Sequence, residues 1–190
     1  MQFHRLASFI IGIWLGAGIL MDIVATQNFQ TVNRVMTSLD IRVVEAAKKV
    51  GDPDTTRYLL RFFAGEANRY LFEQWEWTEL ALGLALMLVL LFARFYQKLA
   101  MGLCLGMIVI VLIQRFKLTP AITMLGRELD FSQGASRSFA VYHQIYGAVE
   151  IAKLALGFGL IARLLIRQRA GKRAFVREYE RDEAGRLGKA

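Results

Sequence analysis

The 190-residue chain is 55% hydrophobic and 21% charged, with two prolines, one cysteine and a net charge of +8. Soluble domains run at about 45–50% apolar, so this excess, with a mean hydropathy of +0.37, argues against an ordinary water-soluble domain. The lone Cys104 excludes an internal disulfide and a thiol pair for redox work.

The apolar residues fall in four blocks. The first, Leu6 to Met21, has no charge and follows Arg5. No small-x-small cleavage site follows it, so it reads as an uncleaved first span rather than a signal peptide. Its Gly12-x-x-x-Gly16 spacing would let another helix approach closely, and Gly102-x-x-x-Gly106 repeats that spacing in the third block. The two pairs predict a packing contact between spans one and three.

Residues 28–73 predict an extramembrane helical hairpin. Phe29, Val32, Met36, Leu39, Val43, Ala46 and Val50 recur at steps of three and four, the narrow stripe of one helix. Gly51 ends that helix, Asp52 caps the next, and Pro53 suits a first helical turn. Leu59, Leu60, Phe63, Ala67, Tyr70 and Leu71 then continue at helical spacing. The narrow stripe and nearly balanced charges favour a hairpin that stands up as a continuation of spans one and two over one that lies on the surface.

Span two begins near Trp75, with Glu76 and Glu79 three residues apart on one face. A short turn carrying Arg94 and Lys98 leads to span three, which ends at Gln114-Arg115. Thr119-Pro120 is expected to stop the helix there, and residues 120–136 read as a loop with at most a short helix. Span four opens near Phe139 and carries His143, Glu150 and Lys153 inside an apolar run. Spans two and four resemble each other. Glu76-x-x-Glu79-Leu-Ala-Leu-Gly83 matches Glu150-x-x-Lys153-Leu-Ala-Leu-Gly157, as two related helix pairs would.

The expected fold is therefore all-α, an integral membrane four-helix bundle. One membrane domain covers 1–166, with spans at about 5–25, 75–95, 98–116 and 139–163. A basic tail covers 167–190. The uncharged runs of 14 to 16 residues fall short of the roughly 20 needed to span, which buried core helices would also explain. Their flanks favour the bilayer. Arg5, Arg94, Lys98, Arg115 and Arg163 can snorkel from the ends, and Trp75, Trp77, Tyr142 and Tyr146 suit an aromatic belt. From Arg163 onward nine basic residues stand against four acids, giving +5 of the net charge. The positive-inside rule then places both termini in the cytoplasm, the chain reading as an inner (plasma) membrane protein. The tail is first a topology signal. It also offers an anionic lipid or a protein partner a basic surface, at about 1 kcal/mol per residue. A pI of 9.9 needs no nucleic acid to explain it, and a homo-oligomer stays open.

The chain resembles the transmembrane protein 205-like family, a four-span group with bacterial members described as a domain of unknown function. The resemblance rests on Gly12-Ile-Trp-Leu-Gly-Ala-Gly18, Ile23-Val-Ala-Thr-Gln-Asn-Phe29, Arg61-Phe-Phe, Pro120 and Phe139-Ala-Val-Tyr-His143, within residues 10 to 165. The family usually has a proline near the end of span one, where this chain has Thr26 and Gln27. The resemblance implies fold and location, and brings no established chemistry.

Depth along the helices brings the ionisable residues together. Asp22 lies 17 residues beyond Arg5, Glu79 15 before Arg94 and Glu150 13 before Arg163. At about 1.5 Å per residue all three fall in the outer half of the bilayer, with Glu76 at its edge and His143 one heptad above Glu150. Asp22, Glu76, Glu79, His143, Glu150 and Lys153 are thus the candidate ligand or ion pathway, since charges in hydrocarbon need partners. One version is an outward-facing site for a divalent metal or other cation. Another is a small-molecule or proton pathway. The bland reading is structural ion pairing, Glu150 with Lys153 and Glu79 with Lys153 or Arg115. Enzyme motifs are not seen. HExxH and CxxC are absent, and His4 and His143 belong near opposite faces, too far apart to share a haem. No cofactor is expected. The two function classes are a non-enzymatic binding or transport-like membrane protein, and an assembly protein acting through its hairpin and tail.

Overall fold

The computed structural model describes residues 2–38, 40–92, 98–131 and 137–187, with side-chain packing through residue 166. The predicted turn bearing Arg94, Leu39 of the predicted stripe, the side chain of His4 and those of the basic tail lie outside this description. All regular structure among the described residues is helical: α1 (Gln2–Met36), α2 (Ile41–Val50), α3 (Pro53–Phe92), α4 (Lys98–Ile113), a π-turn (Gln114–Leu118), α5 (Thr119–Phe131) and α6 (Arg137–Leu187). Three stretches are long and apolar enough to cross a membrane: Arg5–Met36, Pro53–Phe92 and Lys98–Leu129. The fourth apolar block lies within α6 and carries Glu150, Lys153 and Arg163.

Two expected boundaries are corrected. The single helix over 28–50 is split, because α1 ends at Met36 and α2 starts at Ile41. Short polar side chains compete with the helical backbone there. Thr37 Oγ1 donates to the Asn33 carbonyl at 3.0 Å, and Asp40 caps α2 by accepting from the Arg42 N–H at 2.9 Å. Asp52 caps α3 in the same way, accepting from Asp54 and Thr55. Gly51 precedes it at a φ of 155°, a conformation glycine adopts without strain. The second correction is at Pro120, where the helix does not stop. Thr119 N–H reaches back to the Gln114 carbonyl, a wider π-turn that accommodates the missing donor and bulk of the proline ring, and α5 runs on to Phe131.

The four long helices form a ring in which α1 and α4 each pack on α3 and α6. Ile11, Trp14, Leu86, Met107, Val111, Leu160 and Leu164 fill its centre. At one end Asn28 Nδ2 donates to Asn68 Oδ1 at 2.6 Å, and Asn68 Nδ2 donates to the Ala25 carbonyl at 3.0 Å, tying α1 to α3. Beyond that tie, Glu66 accepts from Arg69 at 2.5 Å and from both Nε and NH2 of Arg127 at 2.8 and 3.0 Å. These contacts fasten α5 to α3, and Arg127 leads in holding the Glu66 carboxyl down at about 2.

The partition of side chains departs from that of a water-soluble domain, with charged groups buried beside the apolar centre and many large apolar side chains on the outside. Glu76, Glu79 and Gln114 are fully buried, while Phe9, Leu20, Leu84, Leu105 and Ile151 are exposed.

The glycine pairs do not pack as the sequence predicts. A Cβ on Gly12, Gly16 or Gly102 would meet nothing within 4 Å, and on Gly106 only the tip of Leu156 at 3.3 Å. Spacing gives a shared face but not which face turns inward, and α1 and α4 lie across the ring from each other. Close approaches occur instead at Gly157 and at Gly83, where a Cβ would come 2.8 Å from Ile108 and 3.0 Å from the Trp14 ring. Trp14 has no room to retreat, because its indole N–H is bonded to Glu79 at 2.8 Å. Gly83→Ala should therefore lower unfolding stability in detergent by about 1–3 kcal/mol, the usual cost of overpacking. Gly12→Ala should lower it not at all.

Candidate functional site

The buried ionisable residues converge on Lys153 of α6, which is 2% exposed. Its ammonium lies 2.6 Å from Glu79 Oε1 on α3, 2.8 Å from Glu150 Oε2 one turn back on α6, and 3.1 Å from Gln114 Oε1 in the π-turn. An ammonium has three donors, and here it has three acceptors. The Gln114 amide closes the circle by donating to Glu150 Oε2 at 2.9 Å, and Trp14 of α1 donates to Glu79 Oε1. Each helix of the ring, counting the π-turn that continues α4, supplies one or more members. Sequence alone explains part of this convergence, because Glu150 and Lys153 are three apart on one helical face.

Glu76 forms an adjoining group. It accepts from the Thr119 hydroxyl, has the Tyr146 hydroxyl at 3.5 Å, and faces Arg115 at 4.0 Å. The Arg115 guanidinium also lies over Trp77, 5.1 Å from its centroid. Glu76 Oε2, Glu79 Oε2 and Arg115 Nε are buried without a hydrogen-bond partner. Three buried carboxylates (Glu76, Glu79, Glu150) thus face two cations (Lys153, Arg115), and the acids are in excess.

A cleft of about 520 Å³ opens beside this network, between α1, α3, α5 and α6. Glu150 and Thr119 reach it from the network, while Asp22, Asn68, Phe72, Phe139, His143 and Tyr146 line its sides. Phe72 and Tyr146 meet edge to face at 5.9 Å, and His143 stacks on Phe139 at 5.7 Å. Of the six predicted residues, Glu79, Glu150 and Lys153 meet directly. Glu76 stands in the adjoining group with its own partners, and Asp22 and His143 stand on the cleft wall without entering the ion network.

Among the described residues no three His, Cys, Asp or Glu side chains gather to hold a metal ion. The place between Glu79 and Glu150 that a cation would take is held by the Lys153 ammonium. Cys104 is buried, its Sγ 3.7 Å from the Gly83 carbonyl. Trp14, Gln114 and Thr119 are members that the sequence reading missed. Their one signal is weak: a polar atom in or beside an otherwise apolar run.

No family model, curated protein or solved structure matches the chain.

Removing one partner of a buried pair strands the other's charge, typically at about 3–5 kcal/mol, whereas replacing all of them is often neutral. Lys153→Met should therefore destabilise the detergent-purified protein by about that amount. Combining it with Glu79→Gln and Glu150→Gln should recover most of the loss in the same unfolding titration.

Proposed function

We propose that the chain is a small integral membrane protein, a four-helix bundle in a bilayer, that binds a small solute in an outward-facing cleft and acts in its transport or sensing. The observation that carries this reading is the cleft beside a buried, acid-rich ion network, within a bundle whose outer surface is apolar. Charges at membrane depth face a bundle interior or a water-filled cavity and mark solute and ion pathways. Leucines and phenylalanines on the outside, costly in water, are at home in hydrocarbon. The basic turn and tail, Arg94 and Lys98 with Arg163 to Lys189, support cytoplasmic termini in a bacterial inner membrane. The resemblance to the transmembrane protein 205-like family supports the same architecture. In this reading the protein is not an enzyme. The residues that matter are Asp22, Glu76, Glu79, His143, Glu150 and Lys153, joined by Gln114 and Tyr146.

A second reading, an assembly protein acting through its outer helices and basic tail, is favoured by one observation. No residue of α2 is buried, and an apolar groove of about 690 Å³ runs between it, the end of α1 and the start of α3. The cleft is preferred because it opens onto the buried charges through Glu150.

Cysteine labelling tests the preferred reading at its premise, the outward cleft. Thr123 lines the cleft, and wild-type Cys104 is fully buried and serves as the blank. Thr123→Cys in intact cells should react with a membrane-impermeant maleimide added outside. Adding Gly147→Trp, at a lining position where a Cβ meets open space, should slow that reaction strongly. A cysteine that reacts only from the cytoplasmic side, or not at all, would overturn the outward cleft.

A further inference from the structure

We infer that the cleft takes an amphiphilic organic cation, a hydrophobic amine or quaternary onium, with its charge between Asp22 and Glu150 and its body on the aromatic wall. The inference rests on the reading of the cleft as a solute site and names its ligand class. A volume of about 520 Å³ is in the range of small-molecule pockets, about 300–1,000 Å³. It is too large for a bare inorganic ion, and the neighbouring ion position already belongs to Lys153.

Charge decides the sign of the ligand. Two carboxylates line the cleft. Glu150 spends Oε2 on Lys153 and Gln114. The Asp22 carboxylate has no hydrogen bond or ion pair among the described residues, since only its backbone carbonyl accepts, from Thr26. The arginine on the wall, Arg69, lies 2.5 Å from Glu66 but shares that acid with Arg127, so it leaves less than one positive charge against the two carboxylates. An anion entering here would meet Asp22 and Glu150 with little to compensate them, and a neutral apolar molecule would desolvate Asp22 without giving it a partner.

The wall decides the rest. Phe72, Phe139, His143 and Tyr146 present ring surfaces beside the two carboxylates. Aromatic faces attract cations most strongly where water is excluded, and quaternary ammonium groups are commonly recognised in this way. Ile151 and Leu154 add aliphatic surface from α6. A compact, hydrated cation gains little from such a wall, whereas an onium with an apolar body gains from both parts.

Two ions of one shape and opposite charge test this. Alkylation of Thr123→Cys is followed in detergent-purified protein with tetraphenylphosphonium or tetraphenylborate added. Phosphonium should slow the reaction and borate should not. Asp22→Asn, which breaks no bond of the folded protein, should raise the half-protecting phosphonium concentration several-fold. Equal protection by both ions, or protection indifferent to Asp22→Asn, would overturn the cation assignment and leave a cleft that binds apolar molecules. A readily alkylated cysteine that neither ion protects would also overturn it, while the cleft remained open to solutes. A cysteine that never reacts would remove the cleft itself and both readings with it.

Discussion

Every long helix of this bundle contributes to the network around one buried ammonium, α1 through the Trp14 bond to Glu79. Desolvating a lysine is costly, and an ammonium left unpaired in the interior would weaken the fold. Lys153 escapes this because its three donors meet Glu79, Glu150 and Gln114 at 2.6, 2.8 and 3.1 Å. Meeting those acceptors requires the helices to approach closely, and the glycine four residues beyond each of Glu79 and Lys153 permits it. A Cβ at Gly83 would press on Ile108 and Trp14, and one at Gly157 would come 2.5 Å from Leu15. Helical spacing puts each glycine on the same face as its charge. The segments that resemble each other in sequence, 76–83 and 150–157, thus play matching parts, each pairing an inward charge with an inward glycine.

The network also explains the odd geometry between α4 and α5. A π-turn distorts an otherwise continuous helix, and such turns often lie at functional sites. Here it carries Gln114 to Lys153 and Glu150, and Arg115 to within 4.0 Å of Glu76, just ahead of Pro120. With charged groups buried beside an apolar centre and many large apolar side chains left on the outside, the bundle suits the hydrocarbon surroundings proposed for it. In the proposed function, the cleft bordering the network is where a solute would meet these acids.

Much of this was legible in the chain. Four apolar blocks announced the long helices, Asp52-Pro53 the start of α3, and the i,i+3 spacing of Glu150 and Lys153 an ion pair. What failed were inferences in which local pattern cannot say what lies opposite. The spacing of Gly12 and Gly16 marks a face, but only packing decides whether that face turns inward, and Gly83 and Gly157 took the role instead. Pro120 is a strong local stop that a wider turn overrode. Thr37 to Asp40 interrupted a hydrophobic stripe that periodicity alone carried through to Val50. Trp14 and Gln114 carry no charge, so nothing in sequence marks their polar atoms as partners of Glu79 and Lys153. The basic tail was legible as charge, and its side chains lie outside the described residues.

The most direct test of the central claim is the Lys153 ammonium itself. ¹⁵N NMR of lysine-labelled protein in detergent, with Lys153→Met to assign the signal, reads its protonation and the exchange of its protons. An ammonium bonded to three buried acceptors predicts a charged Nζ whose protons exchange far more slowly with water than those of the surface lysines. A Lys153 signal that exchanges as fast as the others, or that belongs to a neutral amine at neutral pH, would contradict the network on which this account is built.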